Sequence, residues 1–124
     1  MILRAILLAI LLVMPLPFSN ARPPIILIDA RLERNIARVG RIEGWLVPGS
    51  LVRRQHNPGA LRGPDGVYLT YPDDRAGWEA VREKWRAKYR RGMTTEQIVW
   101  GWSEVPEKYA ALWKRLELTD GGAQ

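Results

Sequence analysis

The strongest constraint on this chain is a set of three stretches in which apolar residues recur with the period of an α-helix. In the first, Ile28, Leu32, Ile36, Val39 and Ile42 share one face of a helix over residues 25–43. Arg31, Arg34, Arg38 and Arg41 take its other faces, and Gly44 supplies the left-handed stop common after a last helical turn. In the second, Trp78, Val81, Trp85 and Tyr89 line a helix over residues 75–91, with Pro72-Asp73-Asp74 capping it and Gly92 ending it. In the third, Tyr109, Leu112, Trp113 and Leu116 share a face, and Pro106 suits the first turn. Thr94-x-x-Gln97 is a capping box and predicts a short extra helix through about Trp100 or Trp102. Asp120 to Gln124 are expected to fray.

Between the first two stripes the pattern changes. A loop over residues 45–58 holds Pro48-Gly49 and Asn57-Pro58-Gly59, and residues 60–62 and 67–71 read as two short strands around the Gly63-Pro64-Asp65-Gly66 turn. The expected class is therefore α+β, mainly helical with one small β-hairpin.

The N-terminus carries a different signal. Arg4 is followed by an apolar run over residues 5–14, helix-breaking Pro15 and Pro17, and the small-residue site Ser19-Asn20-Ala21. This reads as an export signal over residues 1–21, with an uncleaved N-terminal anchor as the alternative. Arg22-Pro23-Pro24 reads as a stiff lead into one domain over residues 22–124. Either way the domain is expected outside the cytoplasmic membrane: secreted, periplasmic or wall-associated, and touching membrane only through an uncleaved segment.

Zero Cys excludes a disulfide scaffold and a cysteine zinc site, and a single His removes Ser-His and multi-His metal chemistry unless His56 works alone. No metal and no cofactor is implied. The formal net charge is +6 and the pI about 10.2. Export argues against nucleic acid as the partner and for an anionic envelope polymer such as a wall glycan. The chain is expected to act as a monomer.

Glu43 is the candidate acid. It falls four residues after Val39 and seven after Ile36, on the apolar stripe, in the last turn of the helix. Burial and the negative end of the helix dipole both disfavour its charged form, so both raise its pKa. A carboxyl group protonated near neutral pH beside a groove is what glycosidic cleavage needs as general acid. The alternative is a solvated helix-end Glu paired with Arg41 or Arg53.

Three segments carry a resemblance: Glu43-Gly44-Trp45, then Asn57-Pro58-Gly59-Ala60-Leu61-Arg62-Gly63, then the run from Tyr68 to Trp78. Together they resemble the core of bacterial and phage glucosaminidase and lytic-transglycosylase-like wall hydrolases. They are more similar still to phage and bacterial proteins with an Asn-Asn-Pro-Gly-Asn-(Ile/Leu)-Arg motif, labelled virion structural or lysozyme-like. Those also share the pattern from Gly92 to Val99 with Trp102. The resemblance spans residues 36–116. His56 and Ala60 depart from it where that group has Asn, and Trp102-Ser103-Glu104-Val105 departs from its Trp-Ala-Pro-Pro turn.

The resemblance implies a lysozyme-like domain that cuts the β-1,4 glycan strand of peptidoglycan, with Glu43 as catalytic acid and Tyr68 and Tyr71 against the sugar rings. It also gives Asn57 a hydrogen bond to substrate. Read from the residues themselves, Trp45 would line the groove, Trp100 and Trp102 around Gly101 would form a stacking platform, and Arg53-Arg54 beside His56-Asn57 would grip an anion, with a plain solvated loop as the alternative. If a second carboxylate is used, Asp65, Asp73 or Asp74 would supply it; a transglycosylase-like route needs none. Asp74 also reads as a plain helix cap. The competing implication is a non-catalytic wall-binding or virion/envelope structural protein on the same fold. A third reading, from the residues alone, is an inhibitor or adaptor for an acidic surface that uses the Arg-rich first helix as its interface.

Overall fold

A computed structural model of the chain describes residues 22–121. The helices among them are α1 (Arg22–Glu43), α2 (Leu51–Arg54), α3 (Asp74–Arg90), α4 (Thr95–Trp100) and α5 (Pro106–Gly121). The fold is predominantly helical. Contacts group the chain into two units, Met1–Ala30 and Arg31–Gln124. The expected export signal lies outside the described residues. Among those residues no helix is long and apolar enough to cross a membrane.

The three apolar stripes build one core. Leu32, Ile36 and Val39 from α1 pack with Val81 and Trp85 from α3, Ile98 and Val99 from α4, and Tyr109 and Trp113 from α5. Trp85 is fully buried at the centre, with the rings of Tyr89, Trp102 and Trp113 at centroid distances of 5.8, 5.8 and 5.7 Å. Such aromatic contacts add about 0.5–1.5 kcal/mol each beyond the area they bury.

The termini of the helices follow local chemistry. Asp73 is the cap of α3, its carboxylate accepting the Ala76 N–H at 2.8 Å, while Asp74 is the first helical residue. The capping box of α4 is reciprocal: Thr94 Oγ1 accepts from the Gln97 N–H at 3.2 Å, and Gln97 Oε1 accepts from the Thr94 N–H at 2.8 Å. The loop after α1 contains the short α2, capped by Ser50, whose hydroxyl also donates to the Gly44 carbonyl at 2.9 Å.

Three expectations are corrected. Helix α1 runs back through Arg22-Pro23-Pro24 instead of starting after a stiff lead; proline is tolerated in a first turn, where its missing N–H has no intrahelical partner. Asp120 is no frayed end, because Arg38 Nε holds its carboxylate at 2.9 Å. The β-hairpin does not form.

Among the described residues only an isolated antiparallel bridge, Arg62 to Tyr68, joins the two segments expected to be strands. The reason lies in Asn57, which is completely buried. Its side-chain amide donates to the Leu61 and Leu69 carbonyls and its oxygen accepts the Leu61 N–H, each at 2.9 Å. One side chain thus meets backbone groups that a strand ladder would otherwise pair.

Candidate active site

Glu43 is the last residue of α1, and the way that helix ends sets its surroundings. Gly44 is left-handed at φ 95°. The Gly44 N–H bonds the Arg41 carbonyl at 3.3 Å and the Trp45 N–H bonds the Gly40 carbonyl at 2.8 Å, which is a Schellman closure. The turn throws Trp45 back onto Trp78, ring centroids 5.3 Å apart and edge to face. Gly40 permits this packing, since a Cβ there would lie 2.5 Å from the Trp78 ring. Glu43 is left half-buried at the floor of a cleft.

Three other segments close that cleft, whose volume is ≈ 440 Å³. The Asn57-clamped turn contributes Ala60, Arg62 and Tyr68; the segment after α4 contributes Trp102 and Glu104; α3 contributes Lys84. Trp102 is tied to the clamped turn by its indole N–H, which donates to the Gly59 carbonyl at 3.2 Å. Gly59 is required there, because a Cβ would meet Val81 at 2.6 Å.

Burial pushes the Glu43 carboxyl up to about 7, against the opposing pull of the Arg62 charge and the Tyr109 hydroxyl. Tyr109 is itself buried and makes no hydrogen bond of good geometry. Its phenol is pushed far up by burial and by the neighbouring Glu43. Arg62 Nη1 pairs with Glu104 at 2.6 Å, and Nη2 donates to the Tyr68 hydroxyl at 2.8 Å. A carboxyl group with such a pKa, open to a cleft, holds a proton for a sizeable fraction of the time at neutral pH and can release it to a bound oxygen.

No protein-family model, curated protein or solved structure matches the chain. The chemistry of the site therefore rests on its own geometry.

Of the residues singled out in the sequence, the structure brings Glu43, Tyr68 and Trp102 together in the cleft. The others lie elsewhere. Trp45 is buried against Trp78, with the Arg53 guanidinium 4.8 Å from its ring centroid. Asn57 spends its polar atoms on the backbone and has none left for a ligand. His56 Nδ1 lies 2.6 Å from Asp74 Oδ1, outside the cleft lining. Tyr71 packs against the core, and its N–H donates to the Gln55 carbonyl at 2.9 Å. Trp100 is 52% exposed at the end of α4 and faces no part of the cleft, so it forms no platform with Trp102.

The carboxylates proposed as second groups are also occupied. Asp65 accepts the Val67 N–H at 3.1 Å, Asp73 caps α3 and Asp74 meets His56. The second carboxylate lining the cleft is Glu104, which the sequence reading did not rank. It lies in the segment that departs from the resembling group, and that departure was the available signal. Lys84, on the edge of the α3 stripe between Val81 and Trp85, was equally silent. Among the described residues, no three or more His, Asp or Glu cluster as metal ligands.

Proposed function

We propose that this chain is an exported, lysozyme-like glycosidase that cleaves the β-1,4 glycan strand of peptidoglycan. The observation that carries the reading is the Glu43 carboxyl, half-buried at the end of α1 in an open cleft, with a pKa near 7. Glu43 would donate its proton to the glycosidic oxygen as the bond to the anomeric carbon breaks. The rings of Tyr68 and Trp102 would border the sugars, and the basic surface would hold the protein on an anionic wall with an affinity that falls with salt.

Glu104 is committed to Arg62, so Glu43 is the one carboxyl in the cleft lining without an ion-pair partner. That favours a route in which no second carboxylate acts. A hydroxyl of the sugar closes on the anomeric carbon and Glu43, now ionised, takes the proton released. The test is release of soluble fragments from purified peptidoglycan by wild type and Glu43→Gln. Release lost in the variant supports the enzyme, and anhydro product ends support the internal route over hydrolysis.

A second reading is a wall-binding or virion/envelope structural protein on the same fold, favoured by the exposed Trp100 outside the cleft. No release from either protein, with both still pelleting with the wall, would establish it over the enzyme.

A further inference from the structure

Three of the basic side chains on α3 have ion-pair partners. Arg82 pairs with Glu33 and Glu79 at 2.6 Å, Arg86 with Glu83 at 3.1 Å, and Arg90 with Glu83 at 3.8 Å. Lys84 points the other way, into the cleft lining. Its ammonium stands 4.9 Å from the Trp102 ring centroid, and among the described residues no carboxylate is paired with it. Of the two acids lining the cleft, Glu104 is already paired with Arg62.

An ammonium over an indole face gains part of its stabilisation from the ring, but the ring satisfies none of its three donors. Packing around it lowers its pKa, and Lys88, one turn on, does the same. Both effects describe a cation held where an anion is missing. Lys84 does not contribute to the shift of Glu43, which answers to burial, Arg62 and Tyr109. Burial raises that acid and Arg62 and Tyr109 oppose it, which leaves Lys84 for the ligand.

We infer that this wall of the cleft is a subsite for a sugar residue carrying a carboxylate, whose anion meets Lys84 beside Trp102. A neutral polysaccharide would leave Lys84 without a partner. A carboxylate on one sugar of the repeat would also fix which sugar of each repeat faces Glu43, since the anion recurs once per repeat. The inference rests on the glycan-cleaving reading and narrows it to acidic glycans.

The test uses the full chain carrying Glu43→Gln, so that the ligand survives, and two probes made from one preparation. These are soluble peptidoglycan glycan strands with free sugar carboxylates, and the same strands with those carboxylates amidated. Binding is measured by calorimetry. Amidation should weaken binding about ten-fold, the scale of one hydrogen bond to a charged group. Adding Lys84→Met should cost a similar factor on the free-acid strands, Lys84→Arg should recover most of it, and the two losses should not multiply when combined. Equal binding of both strands, or losses that multiply, would overturn the subsite while leaving the glycan reading standing. Failure of both strands to bind would remove both.

Discussion

Arg62 Nη1 and a Glu104 carboxylate oxygen lie 2.6 Å apart on the wall of the cleft that holds Glu43. The same guanidinium therefore acts on two carboxyl groups, one in direct contact and one at longer range. It pairs directly with Glu104 and, at longer range, partly offsets the burial that raises the Glu43 pKa.

Replacing Arg62 by Gln removes that offset. The Glu43 pKa, about 7 in the wild type, should rise, and the alkaline limb of the pH–activity profile should move upward with it. Tyr109→Phe should move the limb in the same direction, because the Tyr109 hydroxyl also favours the ionised carboxyl. The check is the pH dependence of fragment release, with the Glu43 carboxyl followed by NMR. A limb that stays in place would sever Arg62 from the acid.

Glu43 should also cost stability as pH rises. Its carboxyl titrates near 7 in the fold against an ordinary value of 4.5, so between those values the folded chain holds a proton that the unfolded chain has released. Stability is therefore lost across that window and levels off above it. The full penalty is about 3 kcal/mol, from 1.36 kcal/mol per pKa unit. Glu43→Gln should be more stable than wild type in urea at pH 8 by a figure of that order, and the gap should shrink below pH 4.5.

Asn57→Ala should be among the most damaging polar substitutions. It deletes three hydrogen bonds inside the core of the turn, each 2.9 Å long. The expected loss is about 3 kcal/mol from unmade bonds and a small void. Urea unfolding gives the stability. Fragment release should fall at the same time, because Arg62 and Tyr68 hang from the clamped segment.

Two glycines give opposite forecasts. A Cβ at Gly77 would lie 1.9 Å from the His56 carbonyl oxygen and 2.9 Å from Pro58, both rigid backbone or ring atoms. Gly77→Ala should therefore cost about 3 kcal/mol or more. At Gly101 the nearest atom to a new Cβ is the Gln97 carbonyl oxygen at 3.5 Å, with an ordinary negative φ of −85°. Gly101→Ala should leave the thermal midpoint nearly unmoved. Parallel melting curves decide both.

What the sequence announced about this fold is what local chemistry controls. Helical periodicity located α1, α3 and α5, and the Thr94–Gln97 box located α4, because those signals act within a few residues of themselves. The hairpin does not follow from the sequence because two short segments around a Gly-Pro-Asp-Gly turn suit two strands and a loop wrapped on the Asn57 amide equally well. At the site, Glu43 was legible from its place on an apolar stripe at a helix end. Trp45 was not, since a Schellman turn reverses the chain one residue later and turns an apparent groove residue into packing for Trp78. Lys84 and Glu104 reach the cleft from segments about 40 and 60 residues beyond Glu43 in the sequence, and proximity of that kind leaves no local trace.

The Asn57 clamp has one more consequence, for how this protein can change. It pins residues 61 and 69 and makes no bond to the tip between them, where Pro64, Asp65, Gly66 and Val67 are all exposed. The clamp thus holds the rim from the side away from its apex. A foreign peptide spliced between Pro64 and Gly66 should leave the melting temperature and the reach of Arg62 and Tyr68 nearly as they are. The apex is the point at which the molecule can acquire new contacts with a surface while the acid beneath stays where it is.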